Sequence, residues 1–189
     1  GGTLVTKDRE FALAGTVEDA GGVDNFTIAE QPVSVDAKGR FTRALSLREG
    51  VNAIALAAYD RANNIANVLL TIEVDSTAPS ITLTSATGEV VGSKPEYRLE
   101  GSVDERGAKL TVGDAAVAVE PSGKFGHAVT LSDGENAFTL TATDKAGNAT
   151  TREVKIQFRR LPEGLRPGRD ANEVLCAADG SVLVLVPAG

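Results

Sequence analysis

The chain has 189 residues, 42% apolar and 24% charged, a net charge of −7, and neither Trp nor Met. The acidic balance excludes a nucleic-acid binder of the electrostatic kind, because phosphate backbones select basic surfaces. A single cysteine, Cys176, excludes an intrachain disulfide; no apolar run approaches the ~20 residues of a spanning helix, and no signal peptide is visible. The missing initiator Met is expected of a piece cut from a longer polypeptide.

The predicted elements, in chain order, are short strands. An apolar pair, Leu4–Val5, is followed by FALAGTVED (11–19), VSVDAKGRF (33–41), then alternating Ile54, Leu56, Ala58 and Leu70, Ile72, Val74. After VDSTAPS (74–80) come SITLT (80–84), Tyr97, Leu99, Val103, and Leu110, Val112. Val117 and Val119 alternate next, then Phe125, Val129, Leu131, then Phe138, Leu140, Ala142, then Val154, Ile156, Phe158. Period-2 alternation of Val, Ile, Thr and Phe predicts antiparallel strands with one buried face. Turn chemistry such as Ser122-Gly123, Asp133-Gly134 and Ala146-Gly147-Asn148 breaks them every eight to twelve residues.

The elements occur twice. NAIALAAYDRANNIA (52–66) returns as NAFTLTATDKAGNAT (136–150), 84 positions later, and VSVDAKGRF returns as VAVEPSGKF (117–125) at the same offset. FALAGTVED returns as YRLEGSVDE (97–105) with an offset of 86, so the first copy carries two extra residues, placed around Gly21–Asp24. One module copied in tandem is the consequence. The predicted fold is all-β: two tandem immunoglobulin-like β-sandwiches plus a short C-terminal hairpin or strand. The domains are 1–75, 76–158, a polar linker over 159–173, and a hairpin over 174–189 that could open a further domain. Leu4 and Val5 align with Val90 and Val91, leaving the first copy without a counterpart of SITLT. Pro79 in the short join predicts a semi-rigid rod.

G-x-V, an EGxN turn, A-x-D-x-A-G-N and a VDxTAP linker together resemble bacterial Ig-like repeats over residues 4–158. That resemblance implies a spacer or stalk in a surface or exported multidomain protein, hence an extracellular or cell-surface location. Asn63 stands where such repeats carry Gly, and Asn is the next best residue for a left-handed turn. DGSVLVLVPAG (179–189) resembles the opening strand of formylglycine-generating-enzyme domains, which have a C-type-lectin-like fold. None of that family's catalytic cysteines or metal positions falls in this segment, so the resemblance carries no activity.

Candidate chemistry is sparse. His127, the only histidine, corresponds to Arg43 in the first copy, which places it at a sheet margin; with no second ligand nearby it makes neither a zinc site nor a triad. Asp60 with Asn64, and Asp144 with Asn148, read as turn-shaping side-chain-to-backbone bonds. The sharper alternative is calcium at the module junction, with Asp75 and either Asp19 or Asp60 supplying hard oxygens. A Lys–Asn crosslink has Lys7, Lys94, Lys109 and Lys155 near strands, but no lysine on an inward face in both copies. Without Trp there is no aromatic platform for carbohydrate. The expected function is a non-catalytic stalk with no catalytic residues, presenting its own C-terminal domain. The rival is a module whose loops, Glu18–Asp24 above all, bind protein or glycan; the third reading is the N-terminal fragment of a formylglycine-generating-enzyme-like protein.

Overall fold

The structure, a computed structural model, describes residues 2–168, 173–176, 178 and 181–184. All regular elements among them are strands. Backbone contacts divide the chain into two compact units, Gly1–Thr77 with Lys145–Asn148, and Ala78–Asp144 with Ala149–Gly189.

The first unit contains β1 (Thr3–Thr6), β2 (Glu10–Thr16), β3 (Val23–Ile28), β4 (Gln31–Pro32), β5 (Arg40–Ser46), β6 (Gly50–Asp60) and β7 (Ile65–Val74). One sheet has the order β1-β7-β6-β3-β4 and the other is the β2–β5 pair. Alternation does the sorting: Phe26 and Ile28 of β3, Phe41 and Leu45 of β5, and Ile72 and Val74 of β7 are buried in one core. The Phe26 and Phe41 rings meet at 4.7 Å, tilted by 49°, a favourable aromatic geometry.

The second unit repeats the plan with β8 (Ile81–Leu83), β9 (Gly88–Gly92), β10 (Glu96–Val103), β11 (Lys109–Val112), β12 (Ala115–Val117), β13 (Lys124–Thr130), β14 (Gly134–Thr143) and β15 (Ala149–Arg160). Its sheets run β12-β11-β14-β15-β9 and β13-β10-β8. Leu99, Leu140, Ala142 and Ile156 are fully buried between them.

The repeated Asn of the EGxN turn ties each sandwich together. Asn136 Oδ1 accepts from the Ser132 amide at 2.8 Å, while its Nδ2 donates to the carbonyls of Ser132 and Gly134 at 2.8 and 3.0 Å. Asn52 repeats this with Arg48 and Gly50, at 2.9, 2.7 and 2.9 Å. Gly50 and Gly134 hold φ of 85° and 98°, which side-chain-bearing residues avoid. Asn63 adopts φ 64° where Gly147 has φ 90°, so the expected left-handed turn is present in both copies.

The two extra residues fall where the sequence places them, around Gly21–Asp24, and β3 shows a register shift there, between Val23 and Asn25. Two features differ from the sequence reading. Thr6 stands opposite Val74 in the way Val90 stands opposite Phe158, so β1 is displaced by two residues from the Leu4–Val90 alignment. A two-residue slip keeps every side chain on the same face, and the apolar pattern cannot detect it. Within the segment read as a linker, β15 continues to Arg160 and β16 (Leu165–Pro167) pairs with β17 (Glu173–Cys176), which pairs with β18 (Val182–Val184). Val174 is fully buried, and Val182 keeps 55% of its surface exposed.

Candidate functional site

The acidic residues singled out by sequence sit on turns at strand ends. Asp60 ends β6; its Oδ1 accepts from the amides of Ala62 and Asn64, both at 2.8 Å, and its Oδ2 from the Asn64 side chain at 2.6 Å. The Asn64 side-chain amide, then the Asn64 and Ala62 backbone amides, hold its carboxyl below the usual carboxylate range. Asp19 lies in the loop after β2, and its Oδ1 accepts from the Gly21 amide at 2.7 Å. Asp75 follows β7: its amide donates to the Thr6 carbonyl at 2.9 Å and its Oδ1 accepts from the Thr77 amide at 3.0 Å.

Asp19 and Asp60 line one cleft with Glu18, Val23, Tyr59 and Asn64. Its ≈ 160 Å³ is below the ~300 Å³ at which small-molecule sites begin. Among the described residues, the carboxylate oxygens of Asp19, Asp60 and Asp75 do not come together as a group of three.

The second unit carries the same acidic pair. By the repeat offsets Asp19 corresponds to Glu105 and Asp60 to Asp144. There a Glu105 carboxylate oxygen and an Asp144 carboxylate oxygen lie within 4.8 Å, and Asp144 is only 7% exposed. Glu105 was missed in the sequence because YRLEGSVDE was read for its apolar register; the offset that maps Asp19 onto it was the available signal. Hard carboxylate oxygens of this kind suit calcium, with backbone and water completing its 6–8 ligands.

The other candidates stay apart from any site. His127 is half-buried on β13 opposite Leu99, as Arg43 is opposite Leu13. Lys7, Lys94, Lys109 and Lys155 are all exposed, and Lys155 faces Glu135 and Glu153 at 3.7 and 3.9 Å, so none is placed for a buried crosslink. Residues 179, 180 and 185–189 of the DGSVLVLVPAG phrase lie outside the described residues. No helix of the described residues is long and apolar enough to cross a membrane.

The fold resembles the fibronectin(III)-like modules of Clostridium thermocellum CbhA, with a TM-score of 0.53 at 14% identity over 85% of this chain and 90% of that one. In sequence, the chain is 28% identical to Bacillopeptidase F of Bacillus subtilis over 140 residues, 72% of this chain and 10% of that protein. It is 26% identical to the PII-type proteinase of Lacticaseibacillus paracasei over 157 residues, 82% of this chain and 8% of that protein. The chain therefore spans about a tenth of the length of these relatives. The model of the family described as glucodextranase, domain B, matches residues 3–76 and again residues 79–159. With both Ig-like units matched and the fold in agreement, the chain belongs to the glucodextranase domain B family.

Proposed function

We propose that this chain is a non-catalytic spacer within a larger bacterial surface or exported protein, holding a functional domain at a set distance from its anchor. The observation that carries the reading is the pair of matches covering residues 3–159, a segment with the size of a tenth of the proteinases it resembles. Two all-β units with self-satisfied turns, and no convergence of nucleophile, base and oxyanion donors among the described residues, suit a mechanical role. A spacer tolerates changes to its loops but not to its length. A binding module behaves the other way: altering Glu18–Asp24 abolishes partner capture.

A second reading concerns the paired acids. Their repetition, Asp19 with Asp60 and Glu105 with Asp144, with Asp144 buried, favours calcium as a stiffening ligand. A melting temperature that rises in calcium over chelator, and loses that rise in Asp144→Asn, supports it; equal melting in both removes it.

A further inference from the structure

The two units turn sheet faces of opposite character away from their cores. Alternation along β6 and β7 points Leu56, Leu70 and Ile72 inward and leaves Val51, Ala53, Ala55 and Ala57 of β6, with Ile65 and Leu69 of β7, on the outside. Register sets Leu69 beside Ala55 and Ile65 beside Tyr59. Val51, Leu69 and Ile65 keep 71%, 67% and 55% of their surface exposed.

The same face of the second unit is polar. At the repeat offset Val51 becomes Glu135, Ala55 becomes Thr139, Leu69 becomes Glu153 and Thr71 becomes Lys155. Lys155 stands 3.7 and 3.9 Å from Glu135 and Glu153. Core packing does not account for the contrast, because both faces point away from their cores. A contiguous apolar area on one copy, where the other copy carries charges, marks a contact surface.

Its shape suits a second sheet. Packed sheets lie about 10 Å apart, and the row of methyl groups from Ala53 to Ala57 leaves room for facing Leu and Val side chains. β6 and β7 pair over ten residues, from Gly50–Val74 to Tyr59–Ile65, with β3 and β1 at the flanks. At ~3.3 Å per residue and ~4.8 Å per strand, the face covers roughly 600 Å². Two such faces bury roughly 1,200 Å², the lower bound for a stable pair.

Charge selects the arrangement. Glu73 is the one charged residue that the outward register of β6 and β7 places on this face, at one end, and Arg61 lies in the turn at the other. Neither has an ion-pair partner among the described residues. A two-fold axis across the strands brings each Glu73 toward the Arg61 end of the other copy and holds the two Glu73 apart. An axis along the strands would stack both Glu73 at one end.

We propose that the outer β6–β7 face of the first unit binds a second copy of this chain, sheet against sheet with strands reversed. Leu69 lies at the centre, and Glu73 meets the partner's Arg61 at both ends. Apolar contact at the centre supplies the affinity, and the end charges fix the orientation.

The test is sedimentation velocity of the whole chain over a concentration series. A dimer half-formed at roughly 10 μM chain is expected for an interface of this size. Val51→Glu with Leu69→Glu places glutamate where the second unit carries Glu135 and Glu153, so the sandwich is kept. That variant is expected to raise the dissociation constant about a hundredfold or more. Arg61→Glu alone, or Glu73→Arg alone, is expected to raise it about tenfold, and the two together to restore it. A chain still monomeric at about 1 mM overturns the proposal and leaves the face to a different protein. Unchanged association in the double glutamate variant overturns it too, by assigning association to another surface. So does a double charge reversal that associates no better than the single ones.

Discussion

At the residue scale, three carboxylates of the first unit are held by hydrogen bonds, those of Asp36 and Asp60 within their own turns and that of Glu49 from Ser76 and Arg9. The Arg40 backbone amide, then its guanidinium and the Lys38 amide, lower the Asp36 carboxyl. The Ser76 amide and hydroxyl, then Arg9, lower Glu49, and the Asn64 side chain leads the lowering of Asp60. A carboxyl whose folded pKa is below its unfolded value contributes stability that is complete above the unfolded value, about 4. That contribution disappears as the pH falls through the folded value. Solvent screening keeps each contribution small. The urea midpoint of residues 1–77, followed by their amide signals, is expected to fall between pH 6 and pH 3. In the variant Asp36→Asn, Glu49→Gln, Asp60→Asn the fall is expected to be shallower, starting from a lower midpoint. A wild-type midpoint equal at both pH values would contradict this. The turn role of Asp60 and Asn64 was legible, since a D-x-x-x-N phrase at a strand end leaves its carboxylate facing its own amides. The pairing of Glu105 with Asp144 was not, because it joins residues 39 positions apart that belong to no common phrase.

At the scale of elements, the strands were legible because apolar period and turn residues agree along the chain. Strand faces were legible from the alternation, as for Ile72 and Val74 of β7, whereas the alignment of β1 failed, because a slip of two preserves the faces. The difference between the cores has a direct stability consequence. Leu99→Ala removes a fully buried side chain and is expected to cost about 3 kcal/mol. Leu13→Ala removes a half-buried one from the same position of the other unit and is expected to cost about 1 kcal/mol. Chemical denaturation of the two variants, read separately at signals of each unit, makes the comparison. Equal losses would contradict the difference in burial.

At the scale of the molecule, the repeat was the strongest sequence signal, and matches to the same family over 3–76 and 79–159 agree with it. The uneven covering of the two cores could not be read from composition, since Leu13 and Leu99 are the same residue in the same pattern. Among the described residues β10 has β8 as a neighbour on the edge where β2 has none.

The central claim, a spacer whose length matters more than its surface, is tested most directly in the natural polypeptide that carries this chain. Residues 3–159 are exchanged for an unrelated pair of Ig-like units of equal length, and in a second form are deleted. Activity or capture by the presented domain, measured on intact cells, is expected to survive the exchange and to fall on deletion. Loss in the exchanged form as complete as in the deletion would contradict the spacer account and make recognition by these loops and edges the function.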